Sequence, residues 1–108
     1  MSPVIADARI FSPPNGREAW LYVDWIARDG RFKAIKLVFD NSDTKQIFSD
    51  EISTCGNCNF YLSTAIPIRK IFADVQHTVE LSSVIIVVDD KKNSNEFSVR
   101  TKGSRRSQ

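Results

Sequence analysis

The residues best suited to chemistry lie in one stretch, STCGNCNFY (53–61), which holds both cysteines of the chain, Cys55 and Cys58. A CxxC pair has two established chemical uses. In a thiol oxidoreductase it opens a helix directly after a strand, and the helix N-terminus lowers the pKa of the attacking thiol. Here NFYLSTAI follows, in which Tyr61, Ser63, Thr64 and Ile66 favour a strand over a first helical turn. No βαβ pattern surrounds the pair. A structural zinc site needs four ligands. The chain offers Cys55, Cys58 and His77, and would need a carboxylate such as Asp74 or a second subunit to complete the set. The simplest reading is a turn in which Gly56 and Asn57 make the bend. Redox or metal chemistry at Cys55 and Cys58 is carried as a third functional reading.

Other constellations are weaker. DNSDTKQIFSDE (40–51) can be laid on a calcium loop with Asp40 first and Glu51 last, but Lys45 stands where the sharp turn needs glycine. His77 is the single histidine, and no Gly-x-Ser-x-Gly elbow or Gly-rich phosphate loop is present. Asp89 and Asp90 begin a polar loop where carboxylates make Asx-type turns. No catalytic residue or cofactor is assigned, and a non-enzymatic protein is expected.

The cations form a second candidate set. Lys33 and Lys36, with Arg28 and Arg31, lie around a central pair of strands. Lys91, Lys92, Arg100 and Lys102 lie in the last hairpin, ahead of Arg105 and Arg106. Cations beside exposed aromatic rings are one way to hold single-stranded nucleic acid. The opposing consideration is charge balance: 15 Lys and Arg stand against 13 Asp and Glu, a net +2, and polyanion affinity needs clustered cations. A nucleic-acid-binding β module is the second reading.

Positioning any of these residues falls to strands. EAWLYVDWIAR (18–28) and RFKAIKLVFD (31–40) are rich in aromatic and β-branched residues and are separated by Asp29-Gly30. Asp-Gly between two such runs signals a tight hairpin. Counting outward sets Trp25 against Ala34, Tyr22 against Leu37 and Trp20 against Phe39. One face then carries Leu21, Val23, Trp25, Phe32 and Val38; the other carries Trp20, Tyr22, Ile26, Ile35, Leu37 and Phe39. A hairpin apolar on both faces must be central, or must use one face for association.

KQIFSDEIS (45–53) reads as an edge strand and FYLSTAI (60–66) as another strand. In PIRKIFADVQHT (67–78), Ile68, Ile71, Phe72 and Val75 fall on one helical stripe behind Pro67; an edge strand is the alternative. VELSSVIIVVD (79–89) reads as a buried strand and EFSVRTK (96–102) as the last.

The fold expected is mainly β: a single-domain antiparallel β-sandwich or curled sheet of six to seven strands, with one short helix near 67–77. The domain spans 1–102, and GSRRSQ (103–108) is a disordered basic tail. The pattern allows an immunoglobulin-like sandwich, although both cysteines follow both tryptophans, unlike the Cys…Trp…Cys order of true immunoglobulin domains. The longest apolar runs, AWLYV and VIIVV, are far too short to span a bilayer, and no signal peptide is evident. A cytoplasmic protein without a membrane role is expected. The leading functional expectation is a small protein-interaction module, self-associating as a homo-oligomer, with Trp20, Tyr22 and Trp25 as contact anchors.

Overall fold

Strand alternation divides the chain into side chains that pack and side chains that do not, and the packing sets come from two sheets. The computed structural model describes residues 2–56, 61–75 and 78–101. Its strands are β1 (Val4–Phe11), β2 (Trp20–Ile26), β3 (Ala34–Phe39), β4 (Thr44–Phe48), β5 (Ser53–Gly56), β6 (Tyr61–Pro67), β7 (Leu81–Val87) and β8 (Phe97–Ser98). A 3-10 turn, Ser49–Glu51, links β4 to β5, and a single-turn helix, α1 (Ile68–Phe72), follows β6.

Sheet A has the order β1-β2-β6-β5 and sheet B the order β4-β3-β7-β8, with every strand pair within a sheet antiparallel. The chain changes sheet at β2–β3, β4–β5 and β6–β7. This order is the one immunoglobulin-type sandwiches use. The intersheet disulfide of antibody domains has no counterpart, because β2 and β7 contain no cysteine.

The core lies between the sheets. Sheet A contributes Leu21, Val23, Trp25 and Ile66; sheet B contributes Ile35, Leu37, Ile47, Val84 and Ile86, all essentially inaccessible. Trp25 packs edge-on to Phe32, with ring centroids 5.1 Å apart. Its indole Nε1–H donates to the Thr64 hydroxyl at 3.1 Å, so the one polar atom of the ring is satisfied. Thr64 Oγ1 in turn lies 3.0 Å from Thr54 Oγ1.

The Asp29-Gly30 hairpin is not formed. Gly30 does take a positive φ of 70°, and Asp29 Oδ1 accepts the Arg31 N–H, so a turn is present. It joins β2 to β3 across the sandwich, however, and each strand pairs elsewhere: β2 with β1 and β6, β3 with β4 and β7. The physical reason lies in the two apolar sets. Leu21, Val23 and Trp25 face Ile35, Leu37 and Phe39 across the core rather than lying back to back on one ribbon. The chain between the strands carries Phe32 over Trp25, which anchors the crossing.

One side of the sandwich is stitched. Arg100 N–H donates to Ala8 O at 2.9 Å and Ile10 N–H to Arg100 O at 3.2 Å, a parallel bridge between β1 and the residues after β8. Among the described residues this leaves β4 and β5 as the free edges. On β4, Lys45 points inward, a device that discourages strand addition at an edge. Its ammonium donates to the carbonyls of Lys70 (2.9 Å), Ile71 (3.4 Å) and Ala73 (2.7 Å). These are carbonyls at the end of α1, left without partners by so short a helix. The helical stripe therefore gives one turn from Ile68 rather than a helix to 77, and it ends before Asp74, whose φ is 64°.

Candidate functional site

The outer face of sheet A holds the side chains that β1, β2, β6 and β5 do not send into the core. The pairing registers place them in four rows across the strands. Phe11, Trp20 and Pro67 form one row; Arg9, Tyr22, Ala65 and Ser53 the next. Asp7, Asp24, Ser63 and Cys55 form the third, and Val4, Ile26 and Tyr61 the fourth. Apolar and aromatic rows thus bracket a polar middle. Val4, Phe11 and Ile26 are 56%, 52% and 46% exposed, three of the four large hydrophobics found exposed among the described residues. The fourth, Phe48, lies on β4 of sheet B.

The polar middle is internally paired. Arg9 Nη1 donates to Asp24 Oδ2 at 2.8 Å and to Asp7 Oδ2 at 3.1 Å. Ser63 Oγ donates to Asp24 Oδ1 at 2.8 Å. Arg100 holds Asp7 from the stitched edge with two bonds, at 3.0 and 2.8 Å, in the planar geometry that guanidinium and carboxylate share. The Arg100 hydrogen bond is the main influence keeping the Asp7 carboxyl below its ordinary pKa, against a smaller opposing effect of burial. Burial raises the Tyr61 phenol above its ordinary value, and the Asp24 carboxylate adds to the rise. The Arg9 guanidinium also lies over the Tyr22 ring, 5.2 Å from its centroid.

The three aromatic candidates separate. Trp20 and Tyr22 stand on this outer face, each half-buried. Trp25 is a core residue, 0% exposed, so its assignment as a contact anchor is corrected. Alternation along β2 dictates the split: Trp20, Tyr22 and Asp24 point one way, Leu21, Val23 and Trp25 the other. Sequence reasoning missed β1 altogether, and with it Val4, Asp7, Arg9 and Phe11. The signal was present in VIADARIF, but a register shift between Ile5 and Asp7 breaks its period of two.

The cations do not form one surface. Arg100 is committed to Asp7. Lys36 lies mid-strand on the outer face of sheet B, between Gln46 and Ile85. Lys33 shares one end of sheet B with Arg28, Arg31, Lys91 and Lys92. The connections at that end also bring Asp29, Asp50, Glu51, Asp89 and Asp90, in equal number. Asp89 Oδ1 accepts the N–H groups of Lys91 and Lys92, the Asx turn expected there. Lys102 lies outside the described residues, as does the tail.

Cys55 is an exposed free thiol on β5, opposite Ser63. Cys58 and His77 lie outside the described residues. Cys55 sits in a strand, and Gly56 belongs to the same strand without a positive φ. A Cβ on Gly56 would come within 2.8 Å of Leu62 Cδ2, so a larger residue there requires that side chain to move. The calcium-loop reading of 40–51 also falls. β4 occupies its middle, extended at ~3.3 Å per residue, and so holds Asp40 and Glu51 apart. Asp40 Oδ1 accepts from Glu80 N–H, and Glu51 caps the Phe48 N–H and pairs with Lys70. No group of three or more His, Cys, Asp or Glu side chains suited to a metal occurs among the described residues.

A cleft of about 570 Å³ opens beside α1, lined by Phe39, Asn41, Asp43, Thr44, Lys45, Ala73, Asp74, Val75 and Val79. The Lys45 ammonium in its wall is already bonded to three carbonyls, and burial lowers its pKa from the ordinary lysine value. No helix among the described residues is long and apolar enough to cross a membrane. No family model matches this sequence, and neither a similar curated protein nor a similar solved structure is found at a significant level.

Proposed function

We propose that this chain is a non-enzymatic protein-binding module whose contact surface is the outer face of sheet A. One observation carries the reading: three of the four exposed large hydrophobics of the described residues lie on that face, Phe11 beside Trp20 and Val4 with Ile26 at the opposite end. Apolar and aromatic surface gathered on one face is the composition of a protein contact, in which aromatic residues and arginine dominate the energetics. The ionic centre fits the same role. Arg9 and Arg100 balance Asp7 and Asp24 before any partner arrives, so covering them leaves no charge unpaired. The nucleic-acid reading has less support, because its cations are dispersed, paired or matched by carboxylates.

The test is a comparison of wild type with a Trp20→Ala/Tyr22→Ala variant, each immobilised and exposed to an extract of the source cells. Proteins retained by wild type should be lost from the variant. Circular dichroism should show an unchanged fold, since both side chains lie outside the core. Identical retention by the two proteins would overturn the reading.

A further inference from the structure

The relief of the proposed contact face indicates what fits it, and the inference that follows rests on the reading above and names its occupant. We infer that the outer face of sheet A docks on the same face of a second copy, about a two-fold axis running along the strands between β2 and β6. On β2 the outward positions include the tall side chains Trp20 and Tyr22. Their ladder partners on β6 are Pro67, which the chain itself already covers, and Ala65, a methyl group left half-exposed. A ridge thus stands beside a furrow. Rotation by half a turn about this axis exchanges the two strands. It lays Tyr22 over Ala65 of the second copy, with Trp20 at the covered Pro67 row, Asp24 over Ser63 and Ile26 over Tyr61. Each pairing occurs twice, the isologous arrangement that closed dimers use.

An axis running across the strands fails on the same relief. It would lay β2 over β2 and β6 over β6, ridge on ridge and furrow on furrow. Charge agrees with the first axis. Asp7, Asp24, Arg9 and the rim residue Arg100 cancel within one copy, so two identical faces meet without net repulsion.

Area sets the strength. Strands of eight, seven, seven and four residues, ~4.8 Å apart and rising ~3.3 Å per residue, give a flat footprint of roughly 400 Å². A standard complex buries ~800 Å² per partner. A contact below the standard size makes the dimer concentration-dependent, with a dissociation constant in the micromolar range or weaker.

Sedimentation velocity from about 5 to about 500 µM covers that range. Wild type should pass from monomer to dimer. Ala65→Arg fills the furrow and Tyr22→Glu removes the ridge, so each alone should stay monomeric. Mixed in equal amounts they should dimerise, because the carboxylate introduced on one chain then meets the guanidinium introduced on the other. Ser53→Arg, at an exposed position that would face Arg9 of the second copy, serves if Ala65→Arg does not fold; it too should stay monomeric. A wild-type monomer at every concentration overturns the second copy, while the extract comparison still decides whether the face binds another protein. A dimer indifferent to the furrow variants overturns the face itself. Failure of the mixture to dimerise overturns the axis.

Discussion

Replacing Thr64 with valine should destabilise the protein by about 1–2 kcal/mol, and the reason is a single buried N–H. Trp25 and Thr64 are both 0% exposed, and the indole Nε1–H has the Thr64 hydroxyl as its acceptor at 3.1 Å. Valine nearly reproduces the shape of threonine but accepts no hydrogen bond. A buried donor left unmade costs ~1–3 kcal/mol. From the ~2 kcal/mol middle of that range the added methyl recovers up to ~0.8 kcal/mol by burial, which leaves about 1–2 kcal/mol. Thr54 also loses a partner, but it is half-buried and can turn to water. In a domain of this size the change should lower Tm by roughly 4–12 °C. Urea unfolding followed by far-ultraviolet circular dichroism measures it without relying on either tryptophan. A double-mutant cycle isolates the bond: on a Trp25→Phe background, which has no N–H to strand, Thr64→Val should cost at least ~1 kcal/mol less. Equal cost on both backgrounds would refute the reasoning, as would a Thr64→Val protein within ~0.5 kcal/mol of wild type.

Trp25→Ala should cost ~3–5 kcal/mol, the usual penalty for emptying an aromatic core site; urea midpoints should show Trp20→Ala costing much less. Lys45→Met removes the donor to three carbonyls near the end of α1 and should cost about 1–2 kcal/mol, with hydrogen exchange accelerated at Ile71 and Phe72 before the sheets. Asp7 gives a pH dependence of definite sign. Its folded pKa lies below the unfolded value, chiefly through Arg100. Its stabilising contribution is therefore complete above the unfolded pKa of ~3.9 and is lost as pH falls through the folded one. Asp7→Asn should be less stable than wild type at pH 6, with the gap narrowing below about pH 4; urea midpoints at both values check it.

The strands were legible because their cause is local. VIIVV in β7 and WLYVDW in β2 carry β propensity and alternation within themselves. Pairing was not legible, because the choice of partner is made across the core. β2 and β3 each present an apolar set on one side, and a hairpin and a sandwich both bury such sets. Only contact of Leu21, Val23 and Trp25 with sheet B distinguishes the two, and that contact is remote in sequence. The mistaken pairing had a functional consequence. It suggested surplus apolar surface on β3, whereas Ile35, Leu37 and Phe39 are buried. The surface that is exposed lies largely on β1, where the register shift after Ile5 concealed the strand. The separation of Trp20 and Tyr22 from Trp25 did follow from alternation; which side faced water did not.

Charge placement leads to the last prediction, a test between the two readings of this surface. A polyanion binder gains affinity by releasing counterions, and each phosphate contact adds ~0.7 to the salt slope on single strands. For a substantial slope several cations must reach one backbone together. Arg100 is held by Asp7, Lys36 stands alone on its face, and Lys33, Lys91 and Lys92 share their end with matching carboxylates. With Arg28 and Arg31, five cations meet five carboxylates at that end, so the net charge offered to a phosphate backbone there is close to zero. A mixed-sequence oligonucleotide titrated across salt should show a log–log slope shallower than about −1.5. Self-association through sheet A depends on apolar contact, so it should change little over the same range. A steep slope that collapsed on replacing Lys91 and Lys92 would transfer the function to the far end of sheet B. It would leave Trp20 and Tyr22 without a part in binding.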